Sequence, residues 1–360
     1  MGEWKEYKLG EVVEIISERV SISNATLENY ISTENMLNDF GGVAKAEKLP
    51  VATSVNRFST GDILFSNIRT YFKKVWLSKF DGTVSPDVLV FRANKSKCFK
   101  DFMYYLLCNP DFTEFSVLTS KGAKMPRGDK DALLNYTLSL PPLPEQRAIA
   151  SILSSLDDKI DLLHRQNATL EKIAETLFRQ WFVEEAGEEW EVGVVKDLFI
   201  LQRGYDLPIQ DRREGGYSIF ASSGFSGKHD EYKVEGPGVV TGRSGVLGNV
   251  FLINENFWPL NTTLFIKEFR RGTLVFSYFL LKTIDLESFN AGSAVPTLNR
   301  NHVHEYQIIL PPNSIIKRFE LEVTNYFRKI EINQSQIRTL TAMRDSLLPK
   351  LMSGEVRVAL

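Results

Sequence analysis

The chain has 360 residues, 43% of them hydrophobic and 24% charged, so it can bury two cores and is too apolar to be disordered. Its formal net charge of −2 excludes a protein that coats nucleic acid by bulk basicity, while leaving room for local basic patches. The two cysteines, Cys98 and Cys108, cannot frame a disulfide scaffold or a four-ligand zinc site, which points to a reducing, cytoplasmic compartment.

The opening MGEWKEYKLGEVVEI has no basic stretch followed by an apolar one, so it does not read as a signal peptide. No run of about 18 apolar residues offers a membrane span anywhere in the chain. The first half then gives three strand-like stretches, TGDILFSNI, KKVWLS and SPDVLVFRA. KDFMYYLLCNPDF follows as a short helix ended by Asn-Pro. After LPPLPEQ comes a long helix. Its seam residues Ile149, Leu153, Leu156, Ile160, Leu163, Asn167, Leu170, Ala174, Leu177 and Trp181 alternate spacings of four and three. The second half gives the strands GPGVVTG, GNVFLI and NTTLFIKEF and the helix TLVFSYFLLKTI. A second heptad seam runs through Phe319, Val323, Tyr326, Ile330, Asn333, Ile337, Leu340, Arg344, Leu347 and Leu351. Each long helix of about 39 residues spans about 58 Å.

The chain therefore repeats itself. Glu3-Trp4 matches Glu189-Trp190 at an offset of 186, and GDILFSNIRTYFKKVWL at 61–77 matches GPGVVTGRSGVLGNVFL at 236–252 at an offset of 175. Gly122-Ala123-Lys124-Met125-Pro126 matches Gly292-Ser293-Ala294-Val295-Pro296 at an offset of 170, as do the Leu-Pro-Pro segments at 140–142 and 310–312. The reading divides the chain into a globular half 1–143, a long helix 144–185, a second globular half 186–313, a second long helix 314–354 and a tail 355–360. Residues 145–185 carry five Lys/Arg and eight Asp/Glu, whereas 314–353 carry seven Lys/Arg and four Asp/Glu. The opposite balance favours pairing of the two helices with each other, and connectivity makes that pairing antiparallel. The expected fold is α+β. Two mixed α/β globular halves are joined by two long antiparallel coiled-coil helices in a pseudo-two-fold repeat. Asn167 and Asn333 fall near the axis of that repeat and are expected within about 8 Å of each other, where a buried Asn fixes register. Ile152, Ile173, Phe178 and Phe182 lie outside the seam and read as surface for partners.

No catalytic constellation survives weighing. Asn109-Pro110-Asp111-Phe112 is superficially similar to the Asn-Pro-Pro-Phe/Tyr motif of adenine amino-methyltransferases, but it has Asp in third place and reads better as a helix C-terminus. Gly242-x-x-Gly245-x-x-Gly248 lacks the Lys-Ser/Thr of a phosphate loop. His302-x-His304 would share a strand face as a solvent-facing pair, with no third metal ligand near. Pro86-Asp87 and Pro110-Asp111 lack the acidic-x-Lys of a nuclease core, no Gly-x-Ser-x-Gly elbow exists, and neither cysteine has a local His partner.

Binding remains. Basic and aromatic residues cluster in loops: Arg69, Tyr71, Lys73, Lys74, Lys121, Lys124, Arg127 and Lys130 in the first half. Arg203, Tyr205, Arg212, Arg213, Lys228, His229, Arg243, Ser244, Asn299 and Arg300 do so in the second. Such residues serve phosphates and base edges, Arg bidentate on guanine and Asn on adenine. Arg69 stands near the position of Arg243 in the repeat, and Lys124–Arg127 near the loop before Asn299-Arg300.

LPPLPEQRAIASILSSLDDKIDLLHRQNATLEKIAETLFRQWF at 140–182 and ILPPNSIIKRFELEVTNYFRKIEINQSQIRTLTAMRDSLLPKLMSG at 309–354 resemble the long helices of the specificity subunit of type I restriction-modification systems. GVVTGRSGVLGNV and GSAVPTLNRNHVHEYQIILPP are also typical of it, and the resemblance covers essentially the whole chain. The second helix opens Pro-Pro-Asn-Ser-Ile-Ile-Lys-Arg, without the Glu145-Gln146 of the first, which puts identical partner contacts at both openings in doubt. The resemblance implies two target recognition domains reading a bipartite duplex DNA sequence, with the helices as spacer. It implies no catalysis and no cofactor on this chain. It implies two modification subunits that methylate adenine from S-adenosylmethionine, and restriction subunits that use ATP and Mg. Two other classes stand beside this one: a coiled-coil adaptor without DNA binding, and a self-sufficient methyltransferase or nuclease.

Overall fold

The computed structural model describes residues 3–292 and 294–358. Ser293, inside the second copy of the Gly-to-Pro repeat segment, and the last two residues of the expected tail lie outside them. Two compact units form: 1–162 with 337–360, and 163–336. Among the described residues no helix is long and apolar enough to cross a membrane.

In the first unit, Lys5–Lys8 pairs antiparallel with Thr137–Leu140. An antiparallel sheet orders Val13–Ile16, Val88–Ala93, Ile63–Ser66 and Val75–Leu77. A second four-stranded sheet holds Arg19–Ser21, Ser54–Phe58, Gly82–Val84 and Tyr30–Ile31. The helix Lys100–Cys108 stops at Asn109, as expected of Asn-Pro, but a second helix, Pro110–Leu118, starts at once. Pro110 lacks only an N–H that the first turn of a helix would leave unpaired. The Asn-Pro is thus a corner between two helices.

The second unit repeats the plan. Glu191–Val194 pairs with Gln307–Leu310. The sheet Phe199–Arg203, Thr263–Phe269, Gly238–Gly242, Val250–Ile253 has the same strand order as its counterpart: first, fourth, second, third along the chain. A three-stranded sheet of Gly224–His229, Tyr217–Ala221 and Phe257–Pro259 completes it, with the helix Leu274–Thr283 against the core.

The first long helix spans Leu143–Arg179 and widens into a π turn over Gln180–Glu184. The second spans Asn313–Ser353 with Pro349 inside its last turns. Every residue of both expected seams is buried or half-buried. Helix segments pair antiparallel within each unit. In the first, Arg344 donates to Asp157 at 2.9 Å and Tyr105 donates to the same carboxylate at 2.7 Å. Burial disfavours the Arg344 charge, but hydrogen bonds to Asp157 and Asp345 outweigh it and hold the group protonated. In the second unit, Asn333 Nδ2 donates to Asn167 Oδ1 at 2.8 Å, as the repeat axis requires.

The helix ends also belong to the globular cores. Ile149, Ala150, Leu153, Leu348, Leu351 and Met352 pack into the first unit's core, and Ala174, Phe178, Ile316, Phe319 and Val323 into the second's. This corrects the partner-facing reading of Phe178 and Phe182. Phe178 is buried among Phe276, Phe279 and Phe319, and Phe182 packs on Phe276 and Phe319. Heptad spacing places them off the seam but cannot show a sheet-backed helix waiting there. Ile152 and Ile173 do stay exposed. Glu145 and Gln146 likewise turn inward. Glu145, 1% exposed, receives the Arg357 guanidinium at 2.5 and 2.8 Å. Gln146 accepts from Phe99 N–H and donates to the carbonyls of Lys97 and Pro141.

Asn333 is fully buried and its side-chain oxygen has no hydrogen-bond partner, so the amide costs desolvation that its bond to Asn167 offsets. Asn333→Ala is expected to strip Asn167 of that bond and lower stability by about 1–3 kcal/mol, read from the midpoint of chemical denaturation.

Candidate nucleic-acid interface

In the first unit, the strand Ile63–Ser66 runs into a loop that a second loop braces. Asn67 N–H donates to Asp87 O at 2.8 Å, and Gly128 N–H donates to Asn67 O at 3.0 Å. Arg69 N–H donates to Pro126 O at 2.8 Å, and Lys121 N–H to Arg127 O at 2.8 Å. These bonds bring Arg69, Tyr71, Lys73 and Lys74 together with Lys121, Lys124 and Arg127. Tyr71, Lys73, Lys121, Lys124 and Arg127 are exposed. Several cations sit beside acids: Lys73 by Asp39 at 3.7 Å, Arg127 by Asp87 at 2.9 Å, and Lys121 by Asp129. The hydrogen bond that Lys121 donates to the Asp129 carboxylate is what strengthens the hold of Lys121 on its proton. Lys74 turns inward, donating to Thr33 O at 2.6 Å, and burial lowers its pKa.

The second unit has the same four bonds. Arg243 N–H donates to Thr262 O at 2.8 Å, Leu298 N–H to Arg243 O at 2.8 Å, Gly245 N–H to Pro296 O at 3.0 Å, and Ala291 N–H to Thr297 O at 2.9 Å. The correspondence fixes the register. Arg243 matches Asn67, and Arg69 matches Gly245, so the offset here is 176, one residue beyond the expected 175, and Arg69 and Arg243 are near each other in the repeat without being equivalent. An ungapped comparison cannot see that shift. Its consequence is physical. Gly245 has φ +91°, natural for glycine, whereas Arg69 takes the left-handed conformation at φ +50°. A side chain there costs roughly 1–2 kcal/mol. The turn thus carries an arginine where glycine would relax it.

Arg243 is half-buried, its guanidinium donating to Asn261 O at 3.1 Å; burial, then the like charge of Arg203, lowers its pKa. Arg203 lies 3.7 Å from Asp206, and Tyr205 packs on Phe265 with its hydroxyl accepting from Gln202. Ser244 is bridged to Thr297. Asn299 caps the helix Arg300–His304 by accepting from Asn301 N–H, and Arg300 and Lys228 are exposed. Arg212 is spent on Ser226 O, and Arg213 on Asp230 and Glu231.

Two histidine readings are corrected. His229 is only 3% exposed: its Nδ1 accepts from Arg213 N–H at 3.0 Å and its ring stands edge-on to Trp258. It shapes the loop and leaves the surface set. His302 and His304 lie on a short helix, not a strand, and point differently. His302 is exposed, whereas His304 is buried and accepts from Leu201 N–H at 2.8 Å. That bond requires a neutral ring, and burial lowers its pKa accordingly.

A search for cations passes over Asn67, Met125 and Val295. Asn67 and Thr70 are buried, with Oδ1 and Oγ1 lacking partners, next to the unpartnered Arg69 Nε. The signal available in sequence is the recurrence of an apolar residue before proline at the 170-residue offset.

The chain matches the family described as Type I restriction modification DNA specificity domain over residues 1–172 and again over 187–342. It belongs to that family. The MjaIX specificity subunit of Methanocaldococcus jannaschii is 27% identical over 72% of this chain and 69% of its own length. The HindI specificity subunit of Haemophilus influenzae is 30% identical over 51% of this chain and 42% of its own length. The crystal structure of the type I restriction-modification S subunit from M. genitalium shares the fold, with a TM-score of 0.65, 17% identity, and coverage of 97% of this chain and 96% of that one. The two matched segments of this specificity-family chain contain the two pairs of braced loops.

Arg69→Gly is expected to raise the stability of the first unit by about 0.5–1 kcal/mol, strain relief exceeding the entropy cost of glycine, while weakening duplex binding. Denaturation midpoints and duplex titrations on the same preparation check both halves of that statement.

Proposed function

We propose that this chain is the DNA-reading specificity subunit of a type I restriction-modification complex. Residues 1–143 and 186–313 are its two target recognition domains, and 144–185 and 314–354 are its spacer helices. Each domain reads one part of a bipartite duplex sequence. The first does so with Arg69, Tyr71, Lys73, Lys121, Lys124 and Arg127, the second with Arg203, Tyr205, Lys228, Arg243, Ser244, Asn299 and Arg300; Lys74, turned inward onto Thr33, leaves the set as His229 does. The observation that carries this reading is one loop brace built twice with different side chains on it. A common scaffold with unlike reading surfaces is what two unlike half-sites need. The family match over both halves favours this over a coiled-coil adaptor.

The chain performs no chemistry and binds no cofactor itself. Two modification subunits in the cytoplasm bring S-adenosylmethionine and methylate adenine, and restriction subunits bring ATP and Mg. The long helices support a pair of equal partners. Leu162 and Ile173 on the first and Ile332 and Met343 on the second are exposed apolar residues related by the 170-residue offset.

Arg243 is held by its backbone and by Asn261, so its fork is oriented before DNA arrives. Arg243→Ala is expected to weaken specific binding by about 1–3 kcal/mol and relax the base choice at one position. An unchanged affinity and selectivity in competition titrations would remove it from the reading surface. Deleting one heptad at facing positions of both long helices shortens each by about 10.5 Å, or about three base pairs. The preferred gap between half-sites is expected to contract by that amount while the bases read stay the same, measured by selection from a duplex library with a randomised gap.

A further inference from the structure

Met125 and Val295 stand out among the exposed apolar residues. They are 51% and 52% exposed, occupy equivalent places in the repeat, and each precedes a proline whose carbonyl is held by the neighbouring loop. The first tip is closed by a reciprocal pair of bonds between Lys121 and Arg127, at 2.8 and 2.9 Å. The second is closed by Ala291 N–H to Thr297 O at 2.9 Å and by the Asn290 side chain. Asn290 Oδ1 accepts from Gly292 N–H and Thr297 N–H, both at 2.9 Å, so an amide group replaces one backbone carbonyl of the first tip. The two tips are therefore fastened by different bonds, yet both present one apolar side chain to solvent at the same place. Such a side chain gains nothing from the fold. One such residue alone is ordinary; what calls for a cause is the same exposure at equivalent places on two tips that different bonds fasten.

The surroundings identify the occupant. Lys121, Lys124 and Arg127 flank Met125, and Arg300 and Arg243 lie in the segments that flank or brace the Val295 tip. Lys121 and Arg127 are shared with Asp129 and Asp87, but an apolar tip with exposed Lys124 beside it on one loop, and exposed Arg300 five residues beyond it on the other, suits a duplex whose phosphates meet the cations while a base edge meets the tip. In the major groove a base pair offers one apolar group, the C5-methyl of thymine. We propose that Met125 and Val295 are specificity-determining residues, each reading a thymine methyl in its own half-site. This deepens the DNA-reading proposal and rests on it.

The experiment uses the full chain with its modification subunits and a target duplex obtained by selection from random sequence. Thymines are replaced one at a time by deoxyuridine, which removes only the methyl group. One position in each half-site is expected to lose about fourfold in affinity, the worth of one buried methyl. Met125→Gln is expected to abolish that sensitivity in one half-site and Val295→Ser in the other. Because neither substitution alters charge, the salt dependence and non-specific affinity stay as in the parent. Unchanged melting curves certify that both variants fold. The proposal is overturned if no uracil position weakens binding, or if the variants retain both sensitivities. It is also overturned if the variants lose modification subunits while reading thymine normally, since the tips would then be protein contacts. A parent chain that selects no sequence at all would instead defeat the DNA-reading proposal, an outcome visible before any variant is made.

Discussion

A long amphipathic helix in water has one stripe it must hide, and that requirement organises both units of this chain. In each, a segment of one long helix hides its stripe against an antiparallel segment of the other, and both segments then run into a sheet-backed core. Helix propensity alone would not hold 37 and 41 residues straight; burial of every fourth and third residue does. The globular parts are consequently not beads tied to a rod. Their cores are completed by residues of the long helices, so within each unit the braced loops and the helix segments rest on one core.

The two copies keep the scaffold and exchange its fasteners. Asp157 and Arg344 form an ion pair under Tyr105 in the first unit. The places equivalent by the 170-residue offset in the second hold Phe327 and Ala174, and Phe327 packs on Tyr278 and Phe279. Gln146 ties down the start of one short helix, while Glu320 accepts from Val275 N–H, Phe276 N–H and the Thr273 hydroxyl at the start of the other. A polar lock cannot be satisfied by an apolar socket, since either mismatch buries an unpaired group. Correct partnering of the four helix segments is therefore written into chemistry as well as connectivity.

Sequence carried the helices almost completely, because heptad spacing reports directly on a buried stripe. It carried the repeat and the facing Asn167 and Asn333 for the same reason. It did not carry the sheet order, which depends on pairings between distant strands. It misjudged Phe178 and Phe182, whose partners come from a helix nearly a hundred residues away. In the loops, charge marked segments that the backbone bonds bring together, but not how each side chain is placed. Lys74 and His229 turn inward, and Glu145 is an internal anchor, because the neighbours that desolvate them are not local in sequence. That left-handed Arg69 stands where the other copy has Gly245 shows only in the backbone hydrogen bonds, one residue off the ungapped alignment.

The first unit draws on both ends of the chain: Leu348, Leu351 and Met352 fill its core, and Arg357 neutralises the buried Glu145. The second is contiguous. During synthesis the contiguous unit has all of its residues in hand once position 336 has emerged, while the earlier-made strands still wait for their last supports. The unit whose strands are made earlier is thus completed after the one made later. Until Leu348, Leu351 and Met352 have been made, the first unit's core stays open on the side they fill.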